Sequence, residues 1–385
     1  MSAQLLTANH AAAYAATSAG RANRVARGFG SGIYPITPQT ECIELLAAQT
    51  FDKGSVVLVE SEHSAMAVCI GFAMGGARTF TASSSNGLAY MAENVFAAAF
   101  YRLPVVMMAV NRTLGPPWNI WVDHGDTLML RDAGWIQIYC EDNQEVHDLV
   151  LAAYRLAEDR RVLLPVMVCQ DAFVLSHTLM TTDIAEQADV DAFLPPLDLA
   201  HRLSTKPRTV GGLDFPRETE VHRRQAAAAM ARVPETWRDV QSEFTATFGR
   251  KLPDAVSGYR LEDAEVAVVS IGTTATTARV AVDKLRSEGV RAGSLRVAMM
   301  RPFPGEDVQR LLAHVPRVAV LDRDISPGLG GILWAELKAA TSLPLVQGYM
   351  IGLGGGDVRP AHIERILSGM CTRDVAGPPE FVEVS

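Results

Sequence analysis

The sequence predicts an α/β protein made of two doubly wound units in tandem, and three observations carry that prediction. Short β-branched apolar runs alternate with helix-length stretches over residues 1–180; the alternation lapses over 181–259; it resumes over 260–370. Strands separated by helices in this way are the pattern of βαβ units closing a parallel sheet. The expected organisation is a first α/β domain at 1–180, a connecting segment with helix at 181–259, a second α/β domain at 260–370 and a C-terminal tail at 371–385. At 385 residues the chain is long enough for two or three units that each bury a core.

In the first unit, Val56–Val59, Val105–Val110 and Leu164–Val168 read as strands buried in a parallel sheet. Glu41–Gln49, Ser64–Met74, Leu88–Phe100 and Asn143–Glu158 read as its helices. After Met180, Pro195-Pro196, a basic stretch from His201 to Arg208 and Gly211-Gly212 lead into an alanine-rich helical stretch, His222–Arg232. Its charges are most simply a solvated face, with contact to a partner chain as the alternative. From Glu265, strands Glu265–Ser270, Leu295–Met299, Arg317–Leu321 and Leu345–Tyr349 alternate with helices near Thr276–Ser287, Glu306–Ala313, Ile332–Ala340 and Pro360–Leu367. The tail, with Gly377-Pro378-Pro379, is expected to need a neighbouring chain to order it.

Composition removes several classes of function. With 35 Lys+Arg against 43 Asp+Glu, the net charge of -8 gives no electrostatic reason to expect nucleic acid. No apolar run approaches the ~20 residues of a spanning helix, so no membrane is expected. The N-terminus, MSAQLLTANH, lacks the basic start and apolar core of a secretory signal, which points to a cytoplasmic protein. The five cysteines, Cys42, Cys69, Cys140, Cys169 and Cys371, are scattered and form no CxxC. Iron–sulfur and zinc sites need thiolates at short repeated spacings, so these read as buried free thiols in a reducing compartment.

In open α/β sheets ligands bind beyond the carboxyl ends of strands, so the residues directly after each strand are the candidates. Thr37-Pro38 reads as a helix start, with Thr37 as the cap; the same hydroxyl could hold a substrate oxygen. Glu62 sits where an apolar strand turns into an Ala/Met-rich helix, with Glu60 as a competitor, and is either an ordinary helix-start carboxylate or a ligand-binding one. Arg112 follows six apolar strand residues and should open into the crevice, where its planar fork suits a carboxylate; a structural salt bridge is the alternative. Asp123-His124-Gly125-Asp126 superficially offers metal ligands but lacks further ones at suitable spacing, so loop-bracing hydrogen bonds are expected and no metal. Thr81–Gly87 is a hydroxyl-rich turn that serves as a helix cap or presents donors to a polar cofactor edge. Gly328–Gly331 and Gly352–Asp357 lack the Lys-Ser/Thr of a phosphate loop and read as tight turns or partner contacts.

Together and in this order, YPITPQTE, SEHSA, FTASSSNGL, NRTLGPPWNIWVDHGD, DAFVLSH, RPFP, VLDRDISPGLGG and GLGGGD resemble the alpha subunit of 2-oxoacid:ferredoxin oxidoreductases of the pyruvate type, over roughly residues 8–370. The resemblance implies a pyrimidine-binding thiamine diphosphate domain followed by a transketolase C-terminal-like domain. It implies oxidative decarboxylation of a 2-oxoacid, pyruvate by expectation, to acyl-CoA and CO2, with coenzyme A as co-substrate. Thiamine diphosphate would be shared with a beta subunit that binds its diphosphate. Mg2+ and 4Fe–4S clusters would lie on partner subunits, among them gamma and delta or ferredoxin-like chains, passing electrons to ferredoxin or another acceptor. Carried over residue by residue, Glu62 matches the glutamate that hydrogen-bonds the aminopyrimidine ring nitrogen. Thr37 and Arg112 match the threonine and arginine that hold the substrate's oxo and carboxylate oxygens. Pro35, Ile36 and Ser84 are expected beside the cofactor.

Pyruvate enzymes of the family carry small residues after the arginine, as in NRALSAP; here Thr113, Gly115, Pro116, Pro117 and Trp118 change that wall. The change is either repacking or a pocket reshaped for a larger 2-oxoacid, such as phenylglyoxylate with NAD as final acceptor, or for oxalate. Two rival readings are a non-oxidative thiamine enzyme and a non-catalytic assembly subunit; the latter has no use for an arginine facing the crevice.

Overall fold

The computed structural model describes residues 2–384. Its first half contains β1 (Ser2–Leu6), β2 (Phe29–Ile33), β3 (Gly54–Leu58), β4 (Arg78–Ser83), β5 (Val105–Asn111), β6 (Ile136–Tyr139), β7 (Val166–Asp171) and β8 (Met180–Ile184). Its second half contains β9 (Val256–Tyr259), β10 (Val266–Ser270), β11 (Ala292–Val297), β12 (Met299–Arg301), β13 (Arg317–Asp322), β14 (Val346–Ile351) and β15 (Glu380–Val382). One sheet runs β12-β6-β7-β5-β4-β2-β3, parallel except for β12. The other runs β15-β14-β13-β10-β11-β9, parallel except for β9. β1 and β8 pair antiparallel outside both.

Because β12 leaves the second half to close the edge of the first sheet, the two units are joined by backbone hydrogen bonding as well as by packing. Beside that joint, Arg296 is 4% exposed and bridges Glu141 and Glu145 of the first half. The carboxyl ends of the two sheets therefore face each other across a crevice: Asp171, at the end of β7, accepts from the backbone N–H of Thr273, beyond β10. Among the described residues no helix is long and apolar enough to cross a membrane.

Several elements differ from expectation, each for a local reason. β2 (FGSGI) and β4 (RTFTAS) lack the apolar runs that mark a strand, yet both are buried, because small residues let helices lie close. A Cβ at Gly30 would meet the Phe72 ring at 2.0 Å. The expected strand at 56–59 is the edge strand β3, and it is largely exposed rather than buried. Helix Ala8–Ala22 shows no periodicity because alanines cover most of its faces and nearly all are buried. Leu88–Phe100 is two helices, Ser85–Tyr90 and Ala92–Phe100, which meet at Met91. The connecting segment holds three helices, Gln187–Phe193, Pro216–Ala231 and Val233–Phe248, the last two each opening on proline in the first turn. The last buries Trp237, Val240, Phe244 and Phe248. The tail, expected to need a neighbouring chain, pairs with this chain's own sheet as β15. Of the five thiols, Cys371 is exposed and the other four are buried.

Arg78 shows what holds the first sheet against its helices. It is fully buried; its Nε and Nη2 reach Glu158 at 2.6 and 2.7 Å, and it also donates to the Ala19 and Pro195 carbonyls. Removing one partner of such a pair leaves the other charge uncompensated. Arg78→Ala is expected to cost about 3–5 kcal/mol, read as a shifted denaturant midpoint at unchanged slope. Arg202→Ala, a partly exposed pair with Asp198, should cost about 1 kcal/mol or less.

Candidate active site

β2, β4 and β5 lie near one another at the centre of the first sheet, and the segments leaving their carboxyl ends converge. β2 runs out into Tyr34–Pro38. The helix expected to start at Pro38 begins at Thr40, preceded by Gln39, so Thr37 is not its cap. Thr37 instead stands exposed in a turn, joined to Pro38 by a cis peptide bond. Its hydroxyl is left free of the capping role, and its carbonyl accepts from Arg112 Nη1. Pro35 is exposed and Ile36 half-buried on the same loop. Asn9, buried in the N-terminal helix, fixes this loop by donating to the Pro38 carbonyl at 2.7 Å.

Glu62 is the first residue of helix Glu62–Met74, capped by Ser61, which accepts from the Ser64 N–H at 3.2 Å. Glu62 is 8% exposed, and among the described residues its carboxylate accepts no hydrogen bond. Gly87 lies against it: a Cβ there would stand 2.8 Å from Glu62 Oε1 and 2.5 Å from Ser83 Oγ. Glu60, the competitor, is exposed, and its carboxylate accepts from the Ser64 hydroxyl, which holds its pKa below the usual value.

Arg112 directly follows β5 and is 4% exposed. Its guanidinium lies 4.8 Å from the Trp118 ring centroid, its Nε has no partner, and among the described residues no carboxylate comes within ion-pairing distance. Burial lowers its pKa, against the pull of Asp126 and Glu62. A buried cation with an unmet N–H and no counter-ion is unfavourable alone and favourable with an anion.

Asp126 holds these segments together. Fully buried, it accepts from the backbone N–H groups of Ser85 (2.8 Å) and Arg112 (3.0 Å) and from Asn111 Nδ2 (2.9 Å). Burial pushes its pKa up to about 7, although the hydrogen bonds from Arg112, Asn111 and Ser85 favour the charged form. Ser84 is also buried, and its hydroxyl donates to the Val110 carbonyl at 2.6 Å, so the side chain expected beside a cofactor is committed inside the fold.

The second unit braces this site from across the crevice. His124 Nε2 lies 2.8 Å from Asp171, while its backbone N–H donates to the Arg323 carbonyl at 2.9 Å. Burial would raise the Asp171 pKa, but His124, Arg323 and Thr273 draw it down to about 2. Asn119 Nδ2 donates to the Gly354 carbonyl at 2.8 Å, and the Thr113 hydroxyl donates to the Asn119 carbonyl at 2.6 Å. Gly352, Gly354 and Gly355 have φ of 66°, 63° and 88°, and a Cβ at Gly355 would meet Trp121 Cβ at 2.1 Å. The GLGGGD segment is thus a turn, as expected, and it clamps this chain's own loop carrying Trp118.

The residue that follows each strand was visible in the sequence; most of its supports were not. The loop bracing expected of Asp123–Asp126 is what Asp126 does, reaching Ser85 41 residues away, but Asn9, Gly87 and Asn119 act through contacts across 29, 25 and 235 residues, which no local pattern reveals.

Residues 26–242 match the family described as "Pyruvate flavodoxin/ferredoxin oxidoreductase, thiamine diP-bdg", and residues 264–363 match "Pyruvate:ferredoxin oxidoreductase core domain II". The pyruvate synthase subunit PorA of Methanothermobacter thermautotrophicus is 44% identical over 87% of this chain and 88% of its own. The ketoisovalerate oxidoreductase subunit VorA of Pyrococcus horikoshii is 41% identical over 95% of this chain and 93% of its own. A 2-oxoglutarate:ferredoxin oxidoreductase from Magnetococcus marinus, with 2-oxoglutarate, coenzyme A and succinyl-CoA bound, shares the fold at a TM-score of 0.76 and 20% identity, over 96% of this chain and 65% of that one. With both halves matched and relatives at 41–44% identity along most of its length, the chain belongs to the 2-oxoacid:ferredoxin oxidoreductases, as the alpha subunit of a thiamine diphosphate-dependent enzyme.

Proposed function

We propose that this subunit supplies the aminopyrimidine-binding half of the thiamine diphosphate site and binds pyruvate for oxidative decarboxylation to acyl-CoA and CO2. The observation that carries the reading is one crevice that, among the described residues, holds a buried carboxylate without a donor, Glu62, and a buried guanidinium without an ion-pair partner, Arg112. Both needs are met by a basic heteroaromatic ring beside Glu62 and a carboxylate beside Arg112. Gly87 fits the same group, since a side chain there would fill the space beside the Glu62 carboxylate.

When bound, thiamine diphosphate supplies the electron sink for loss of CO2. Glu62 holds a proton against the aminopyrimidine ring nitrogen. Arg112 takes the substrate carboxylate, Thr37 donates its hydroxyl to the 2-oxo oxygen, and Trp118 covers the guanidinium from solvent. Pro35 and Ile36 border the cofactor, whereas Ser84 acts by fixing the turn. The diphosphate and Mg2+ belong to a beta subunit and the 4Fe–4S clusters to gamma and delta or ferredoxin-like subunits, in a cytoplasmic complex that passes electrons to ferredoxin.

Pyruvate is supported by the PorA relatives; a larger 2-oxoacid is the second reading. It rests on the Gly115 turn, beside which a Cβ would meet nothing within 4 Å, and on Trp118, which is 51% exposed. The test is anaerobic viologen reduction by the co-purified complex with coenzyme A and pyruvate, 2-oxoisovalerate, 2-oxoglutarate, phenylglyoxylate or oxalate in turn. A wide preference for pyruvate supports the first reading, a branched or aryl preference supports the second, and no turnover with any of them overturns both.

Two glycine substitutions separate the two halves of the site. Gly87→Ala pushes on Glu62 and is expected to raise the thiamine diphosphate concentration needed for half-maximal activity, with the 2-oxoacid KM little changed. Gly355→Ala pushes on Trp121 and the loop bearing Trp118, and is expected to lower kcat/KM for the 2-oxoacid by up to about 10²-fold at unchanged cofactor affinity. Steady-state kinetics with each ligand varied in turn checks both.

A further inference from the structure

The second unit carries a cavity of about 230 Å³ that the proposed reaction leaves unused. In its sheet, β10 lies between β11 and β13, so the chain leaves β10 to one side and returns on the other. That reversal is a topological switch point, where the loops leaving adjacent strands part and open a crevice at their carboxyl ends. The cavity lies there, lined by residues that follow β10, β13 and β14 and by Trp121 and Phe173 of the first unit.

Two of its side chains carry a polar atom that has no partner among the described residues. Arg323 is 6% exposed; its Nη2 donates to the carbonyls of Gly352 and Gly356 at 3.3 and 3.1 Å, its Nε has no partner, and among the described residues it forms no ion pair. Thr274 is 3% exposed and its hydroxyl has no partner. Thr274 opens the helix Thr274–Ser287, and Thr277, half-buried one turn on, lines the same space. Asp171, Asp123 and Asp357 lie within electrostatic reach of Arg323 but form no ion pair with it among the described residues; their hydrogen bonds go to His124 and Thr273, to the N–H groups of Gly125 and Gly354, and to Arg359 at 2.7 Å.

We propose that this cavity binds a phosphate group, free or carried on a larger cofactor, through Arg323 and the hydroxyls of Thr274 and Thr277. A guanidinium beside hydroxyl donors at a helix start offers several hydrogen bonds to one tetrahedral anion. The site is independent of the roles assigned to Glu62, Thr37 and Arg112; only a coenzyme A occupant rests on the proposed acyl transfer.

The test is calorimetric titration of the co-purified complex, saturated with thiamine diphosphate and without 2-oxoacid, using inorganic phosphate and then coenzyme A. Wild type is expected to bind phosphate, and Arg323→Gln to weaken it by about tenfold or more. The isosteric Thr274→Val and Thr277→Val weaken it less and carry the test should Arg323→Gln fail to assemble. Displacement of phosphate by coenzyme A identifies the cofactor as the source; phosphate retained in its presence identifies the free anion. No binding by wild type, or equal binding by wild type and all three variants, overturns the site. Failure of the decarboxylation reading would show only in the viologen assay, because this titration involves no turnover.

Discussion

Glu62→Gln is expected to lower turnover of the 2-oxoacid by about 10²–10⁴-fold, the range general acid–base groups supply. Glutamine keeps the shape that Gly87 accommodates but cannot hold and return a proton. Glu62 is 8% exposed, so water has little room to take its place. Thiamine diphosphate should still bind, weakened by one charge-assisted hydrogen bond, on the order of 1.5–3 kcal/mol. Turnover measured at saturating cofactor, beside cofactor affinity measured directly, separates lost chemistry from lost binding. Glu60→Gln is the control, since that carboxylate is exposed and turned toward Ser64, and it should keep wild-type turnover. If Glu62→Gln also turned over at the wild-type rate, the assembly-subunit reading would return.

Arg112 stood out in the sequence because it directly follows β5, and Glu62 because it opens the helix that follows β3, positions where a charged residue has few places to go but the crevice. The setting of Thr37 was not legible: Thr-Pro reads as a helix start, and tertiary context delays the helix to Thr40. Asn9 holds the Pro38 carbonyl, and the Arg112 guanidinium holds that of Thr37, so long-range contacts override a local preference. β2 and β4 were missed because their burial comes from small and hydroxyl-bearing residues paired with neighbouring backbone, as where Thr81 donates to the Gly32 carbonyl. β12 and β15 were unreadable for a different reason. Each is three residues long and is a strand only because a distant edge accepts it. The clean division at 260 that the periodicity suggested is likewise crossed by β12.

Arg112→Lys is expected to lower kcat/KM for the 2-oxoacid by about tenfold to a hundredfold, the factor that corresponds to one hydrogen bond to a charged group. The substitution keeps the charge and removes the geometry. A guanidinium can hold the Thr37 carbonyl with Nη1 and still present a planar edge to a carboxylate, whereas an ammonium is a point donor that must choose. It also loses part of its stacking on Trp118, which lies 4.8 Å away. The effect should fall on the KM for the 2-oxoacid, leaving those for coenzyme A and thiamine diphosphate near wild type. A neutral substrate sharpens the test. Wild type should prefer a 2-oxoacid strongly over its methyl ester, and Arg112→Lys should lose much of that preference, because the ester gives the guanidinium no carboxylate to pair. If the variant kept both the wild-type KM and the acid-over-ester preference, the counter-ion to this buried arginine would have to be sought elsewhere, with Glu62, already within its electrostatic reach, the first group to test.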